Sequence, residues 1–373
     1  LLRMYYLKCT ALEHIAHRQR KHRGRVHATK GEGSMFKRLK KAAAVICAAA
    51  MVLSMTACGS AGDKKVVLHF THTQSPGSIS DLTAQEFKKL VEERSDGRIE
   101  VSIYSNCGLS GGDLTKAIEL VQAGNIDIHS CAPPNIANYD KKFYSFWLPF
   151  LFPNSDDLLA FCHSDKVHEV VNGWCNDLEM EMLGINNAGS RQISNSKKEI
   201  TKPEDLKGMN IRVPGANIFI DLYRNYFGAN PTAMDFSEVY TSLQQKTIDG
   251  QENPIAVFDS SKFAEVQQYV TLWDGVRDTT IWVMSRKTMN KLSPEDQELV
   301  KECAAEALDW GNDYLADNEA VIIQKLKDGG TVITELTEEQ KAEFQKACAG
   351  IYDDYAKSVG QDVIDLFTGG YKN

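Results

Sequence analysis

The chain has 373 residues, with 42 Lys and Arg against 50 Asp and Glu, and it is 43% apolar and 25% charged. That composition excludes disordered, collagen-like and coiled-coil chains, and the length suits about two domains of roughly 150 residues. The net charge of −8 hides a split: residues 1–34 carry +6, residues 35–57 carry +4, and the remaining 316 carry −18. A body that acidic excludes nucleic acid as a partner, because phosphate binding needs a basic face.

The N-terminus reads as an address. Residues 1–34 hold four of the nine His and precede a better start at Met35. They read as mistranslated upstream sequence or a disordered leader. From Met35 the chain runs through Met-Phe-Lys-Arg-Leu-Lys-Lys into 16 mostly apolar residues, Ala42 to Ala57, and ends in small residues before Cys58. This is the layout of a secretory signal peptide, residues 35–57. Met55-Thr56-Ala57-Cys58 resembles a bacterial lipobox, with Met55 where Leu is preferred. The resemblance implies lipid on Cys58 and attachment to the outer face of the bacterial cytoplasmic membrane. The alternative is a plain signal peptide. Residues 58–65 form a tether.

The mature chain alternates strands and helices. Val66–Phe70 reads as a buried strand, and a helix capped by Ser80 or Asp81 carries Leu82, Phe87, Leu90 and Val91 on one face. Ile99–Tyr104 alternates as a strand. Asp113 caps a second helix that Gly124 ends, and Ile126–Ser130 is a third strand. That succession predicts right-handed crossovers and a mainly parallel sheet. Later, Met209–Val213 reads as a strand, and Asn217–Phe227 and Ser237–Gln245 as helices. A long helix runs from Ser293 to Lys327, ~50 Å at 1.5 Å per residue, with Gly311 as its weak point. A helix capped at Thr337 continues to about Val359.

Enzyme and metal motifs are absent. The sequence has no G-x-S-x-G, Walker A or G-x-G-x-x-G pattern. His168-Glu169-Val170-Val171-Asn172 begins like a zincin helix but lacks the second His. No C-x-x-C pair occurs among Cys107, Cys131, Cys162, Cys175, Cys303 and Cys348, so buried free thiols are expected for most. No cofactor and no metal are expected. Arg191 sits among small residues, Arg212 lies inside the apolar strand Met209–Val213, and Asn253 follows Gln251-Glu252. A half-buried Arg needs an anion, either a structural Asp or Glu or a bound carboxylate.

Several ordered motifs resemble the solute-binding proteins of TRAP transporters. They are Asp205-Leu206-Lys207-Gly208-Met209-Asn210-Ile211-Arg212-Val213-Pro214, Gly228-Ala229-Asn230-Pro231-Thr232-Ala233-Met234, Phe236-Ser237-Glu238-Val239-Tyr240 and Gln251-Glu252-Asn253-Pro254. The resemblance covers Val66 to the C-terminus. It implies a two-lobed α/β fold with hinge segments and a long helix spanning both lobes. One lobe comprises 66–188 with about 279–318, and the other 189–278 with about 319–373. It also implies an extracytoplasmic monomer that is not an enzyme. That protein holds a small organic acid between its lobes and delivers it to membrane subunits of an ion-gradient-driven transporter. Arg212 is the implied carboxylate anchor, Arg191 a second Arg, Asn253 a neutral donor and Phe236 a cleft wall. His72 and Thr73 after the first strand, and Asn135 after the third, are further candidates. Trp273 is either a stacking platform or a gap filler. A C4 dicarboxylate, a sugar acid and an aromatic acid all remain open as ligands. The rival functions are the binding protein of a cell-surface sensor and, further off, an enzyme on the same scaffold.

Overall fold

A computed structural model describes residues 65–372. The expected leader, signal peptide, Cys58 and nearly all of the tether lie outside the described residues. Three strands open the fold, β1 (Val66–His72), β2 (Ile99–Tyr104) and β3 (Ile128–Cys131), with α1 (Ile79–Arg94) and α2 (Leu114–Ala123) as their crossovers. Two helices, α3 (Ser155–Cys162) and α4 (Asp165–Asp177), lead into the long β4 (Met180–Asn195). Then come β5 (Asn210–Val213), α5 (Asn217–Asp221), β6 (Asn230–Ala233), α6 (Phe236–Gln244), β7 (Gly250–Pro254) and α7 (Ile255–Ser260). The chain returns along β8 (Tyr269–Ser285) and the short α8 (Arg286–Met289) into α9 (Pro294–Asp328). It closes with β9 (Val332–Glu335), α10 (Glu338–Cys348), α11 (Ile351–Val359) and α12 (Gln361–Phe367).

Among the described residues, nine strands join one sheet in the order β2-β1-β3-β8-β4-β7-β5-β6, with β9 on β8. The end β2-β1-β3 follows the expected parallel pairing, and the other end, β7-β5-β6, is parallel as well, with β6 and β7 not read as strands from the sequence. The middle does not. β4 and β8 are 16 and 17 residues long and run antiparallel from one lobe into the other. The charged residues Asp274, Arg277 and Asp278 interrupt the apolar pattern of β8 and obscure it as a strand.

Three apolar clusters hold these layers. One gathers α1, β1 and β2 with the first half of α9 around Phe70, Phe87 and Trp282. Those rings meet edge-on at centroid distances of 5.8, 4.8 and 5.4 Å, an arrangement that adds about 0.5–1.5 kcal/mol per pair beyond area burial. A second lies under α6 and α7 around Phe258 and Phe263, and takes Leu326 from the far end of α9. The third and largest joins residues 118–229 to the C-terminal helices. α9 thus touches both lobes, as its length demanded. Its N-cap is Ser293, whose side chain accepts from the Asp296 amide. Gly311 has a packing reason: a Cβ there would lie 2.7 Å from Thr83 Oγ1 of α1.

Several boundaries differ from expectation. Ser78, not Ser80 or Asp81, caps α1, because the Asp81 carboxylate turns back to accept from the Gly77 amide at 2.9 Å. β3 starts at Ile128, since Asp127 is held aside by the His69 amide and Thr288 Oγ1. The helix from Asn217 gives way to a π-turn at Leu222–Tyr226. The C-terminal helix is broken at Ala349-Gly350 and again at Gly360. All six described cysteines are free and buried, matching the expectation of apolar packing.

Candidate functional site

The parallel strands β1, β3, β5, β6 and β7 discharge into one cleft. Thr73 and Gln74 follow β1, Ala132 and Asn135 follow β3, Pro214 follows β5, Phe236 follows β6, and Asn253 and Pro254 end β7; all line it. Ligands of open α/β sheets bind beyond carboxyl strand ends for this geometric reason. The crossing strands supply the cleft's middle: Ala188 and Arg191 from β4, and Asp278, Thr279 and Thr280 from β8. Leu114 and Phe236 are the first residues of α2 and α6, so two helix N-termini begin at the cleft, each with an Asp at its N-cap, Asp113 and Asp235. The space amounts to about 540 Å³ counted out to its solvent mouth.

The small residues around Arg191 belong to β4. A register shift on either side of Arg191, with Gly189 at φ +94°, sets its direction. In the pairing with β7, Arg191 faces Pro254, so Glu252 is its same-face diagonal neighbour. In the pairing with β8, it faces Val276, and Asp278 is the diagonal on that side. Both acids are used. The guanidinium grips Glu252 in a two-pronged pair, with Nη2 to Oε1 at 2.7 Å and Nε to Oε2. Nη1 donates to Asp278 Oδ2 at 2.5 Å. Nη2 also reaches the Glu252 carbonyl at 3.0 Å and Asn253 Oδ1 at 3.3 Å. Trp147 covers the guanidinium at 4.8 Å and donates its indole N–H to Asp278 Oδ1 at 2.6 Å. Burial opposes the Arg191 charge, but Glu252 and Asp278 outweigh it and hold its pKa above the ordinary value. Burial also pushes the Glu252 carboxyl up, with Arg191 opposing. Of five N–H donors, Arg191 has at most one left.

Arg212 differs in kind. It is 2% exposed and lies on β5 between Gln251 of β7 and Thr232 of β6. Its Nε and Nη2 both donate to the Met234 carbonyl, at 3.0 and 2.6 Å. Its guanidinium lies 5.9 Å from the Phe236 ring centroid. Among the described residues no carboxylate comes within 4.0 Å of it. Burial therefore lowers its pKa from 12.5 to about 10, with Arg191 adding to the shift and Glu252 and Asp235 resisting it. It is still a cation at neutral pH. The cleft wall thus carries one neutralised Arg and one Arg without an anion.

Of the expected site residues, Arg191, Arg212, Asn253, Phe236, Thr73 and Asn135 line the cleft. Asn253 is less free than expected: its Nδ2 donates to Gln251 Oε1 at 2.5 Å and its Oδ1 takes the Arg191 bond. His72 does not line the cleft, and Trp273 takes the gap-filling role of the two open to it. His72 is fully buried behind the wall, with Nε2 3.1 Å from Asp81 Oδ1. It is the last residue of β1 and points the opposite way from Thr73, as alternation along a strand requires. Trp273 is 1% exposed and sits among Phe150, Phe227 and Phe344, its N–H donating to the Arg191 carbonyl at 2.8 Å. It fills a core gap and supports the Arg191 backbone from behind.

Trp147, Gln74, Asp278, Thr279 and Thr280 were not anticipated. Asp278-Thr279-Thr280 did carry a signal, three polar residues inside a run that ends in Ile281-Trp282-Val283-Met284. Trp147 carried none, because nothing local separates it from the aromatic core residues around it. Among the described residues, no group of three or more His, Cys, Asp or Glu is placed to hold a metal ion.

The chain resembles known proteins over this whole region. Residues 70–358 match the model of the DctP family, bacterial extracellular solute-binding protein, family 7. The 2,3-diketo-L-gulonate-binding periplasmic protein of Escherichia coli strain K12 is 30% identical over 304 residues, covering 80% of this chain and 86% of the relative. A TRAP periplasmic solute-binding protein from Ralstonia eutropha H16, solved with bound (S)-2-acetolactate, superposes with a TM-score of 0.78. The two are 30% identical, over 82% of this chain and 98% of that one. Another, from Sulfurospirillum deleyianum with bound succinate, gives a TM-score of 0.75 at 29% identity, over 81% and 98% of the chains. Matching motifs, the two-lobed fold and the cleft at the strand ends make this chain a member of the DctP family of bacterial extracellular solute-binding proteins.

Proposed function

We propose that the protein captures a small organic acid in the cleft and delivers it to the membrane subunits of a TRAP transporter. The observation that carries this reading is Arg212: a buried cation on the cleft wall without a carboxylate partner among the described residues. Burying such a charge alone is costly, and a ligand carboxylate is the group that relieves it. Arg191 acts one step behind. Already neutralised by Glu252 and Asp278, it fixes the wall and offers at most one N–H to the ligand. Thr73, Asn135 and Asn253 surround the acid with neutral polar groups, and Phe236 forms an apolar side.

The two lobes, 66–188 with about 279–318 and 189–278 with about 319–373, close over the acid about β4 and β8. Closure removes water and strengthens the Arg–carboxylate pair. The membrane subunits then read the closed form by its differential affinity. A relative named for binding 2,3-diketo-L-gulonate, and solved neighbours that hold acetolactate and succinate, support an acid ligand for this chain. We read the protein as extracytoplasmic, monomeric, held to the membrane by lipid on Cys58, and without catalytic activity. The cleft assembles polar binding groups around one cation and contains no Ser, Cys or His nucleophile–base pair among its lining residues.

The test is a melting screen of residues 58–373 against carboxylates, amines and neutral sugars. A ligand at 100 times its Kd adds about 2.7 kcal/mol, which raises the melting point by several degrees. Carboxylates are expected to give that shift. Stabilisation by neutral sugars alone rules the reading out, and turnover of the bound acid rules out a pure binding role.

A further inference from the structure

Resting on the reading of the cleft as an acid site, we propose that its ligand is a hydroxylated monocarboxylate rather than a dicarboxylate. The charges on the wall lead to this. The cleft holds two guanidinium groups, but Glu252 and Asp278 together more than neutralise Arg191 and leave that cluster with an excess negative charge. Arg212 alone has no carboxylate partner among the described residues, so the wall has one cation to offer one anion. A second ligand carboxylate would find no free cation on the lining. It would instead meet Asp278, which itself lines the cleft and is 4% exposed. Two like charges at close range in a water-poor site disfavour binding strongly.

The remaining polar wall calls for hydroxyl groups. Thr279 lines the cleft, is fully buried, and its Oγ1 has no hydrogen-bond partner among the described residues. Gln74 Oε1, also on the lining, is buried and without a partner. An amide oxygen only accepts, so it requires a donor. An ionised carboxylate donates nothing, whereas a hydroxyl both donates and accepts. Thr73, Asn135 and Thr280 add neutral polar groups that suit further hydroxyls. One carboxylate on Arg212 and one or more hydroxyls on Gln74 and Thr279 satisfy every group left open.

Calorimetric titration of matched probes tests this. One series is L-threonate, L-tartrate and butyrate; the other is D-gluconate, D-glucarate and hexanoate, with sorbitol as the neutral control. Within a series the three acids share a chain length and differ in one feature. The hydroxylated monocarboxylate is expected to bind at least about tenfold tighter than the hydroxyl-free acid. It is expected to bind about a hundredfold tighter than the diacid. Thr279→Val, which keeps the shape, should weaken the hydroxylated monocarboxylate about tenfold and leave the hydroxyl-free acid unchanged. Equal or tighter binding of tartrate or glucarate overturns the single-anion argument. Equal binding of butyrate or hexanoate, or indifference to Thr279→Val, overturns the hydroxyl argument. If sorbitol binds as well as the acids, or no acid binds, the acid reading of the cleft itself fails, and this inference fails with it.

Discussion

Replacing Arg212 by Met should separate binding from stability in opposite directions. Met keeps much of the side-chain volume and removes the charge. Burial holds the Arg212 pKa near 10 instead of 12.5, which corresponds to about 3 kcal/mol spent on keeping a cation there, at 1.36 kcal/mol per pKa unit. Removing it relieves that cost and leaves the Met234 carbonyl without its two donors, a loss of about 1–3 kcal/mol. The two changes nearly cancel. The empty Arg212→Met protein should therefore melt within a few degrees of the parent, or above it. Binding behaves otherwise. The ligand carboxylate is left desolvated and unpaired, which costs about 2–5 kcal/mol, or roughly 30-fold to several-thousand-fold in affinity. Arg212→Lys keeps the charge but loses the planar fork and should fall between the two. The assay is a calorimetric titration of the best acid from the screen, with denaturant melts of each empty variant. A fall of 3 kcal/mol or more in the empty protein, with affinity unchanged, would mean that Arg212 is a structural cation and the acid binds elsewhere.

Arg191→Met should do the reverse: it strands Glu252 and Asp278 at 1% and 4% exposure, and urea melts of the empty protein should show a loss of about 3–5 kcal/mol. Gly311→Ala should destabilise α9 although Ala gains about 1 kcal/mol of helix propensity, because the new Cβ meets Thr83 Oγ1 at 2.7 Å; Gly311→Ala paired with Thr83→Ala should recover stability, and a melt of Gly311→Ala equal to the parent would contradict this packing. Burial holds the His129 pKa down from 6.5 to about 4, with Nδ1–H donating to the Thr71 carbonyl at 3.1 Å and no partner among the described residues for Nε2. Its folded form resists the proton that the unfolded chain takes up, so its stability contribution is full above pH 6.5 and is lost as pH falls towards 4. Melting curves of His129→Asn across that window should be flatter than those of the parent, and identical pH slopes would rule His129 out as their source.

Much of the architecture was readable because it depends on local patterns. Strand–helix–strand alternation showed the parallel end β2-β1-β3, and of the other end it showed only β5. Asp113, Ser293 and Thr337 marked helix starts by cap chemistry, each side chain accepting from an amide three residues on. The length of α9 alone required that it reach both lobes. Arg212 stood out because a cation inside an apolar strand is a local anomaly.

What stayed hidden depends on which strands meet. Nothing in either stretch alone shows that β4 and β8 pair antiparallel over their whole length. Yet that pairing, with β7 on the other side, places Glu252 and Asp278 diagonally across from Arg191 and turns an apparent ligand clamp into a closed ion cluster. Arg191 and Arg212 look alike in sequence, each an Arg among small or apolar neighbours. Only the cross-strand register gives one of them two carboxylates and leaves the other in need of an anion. Trp273 and His72 depend on tertiary contacts too: His72 ends β1 with its ring on Asp81, and Trp273, five residues before Asp278 on β8, packs among Phe150, Phe227 and Phe344 away from the cleft. Local sequence determined the elements and their ends, and tertiary pairing decided which charges face each other, because electrostatic partners here lie 61 and 87 residues apart along the chain.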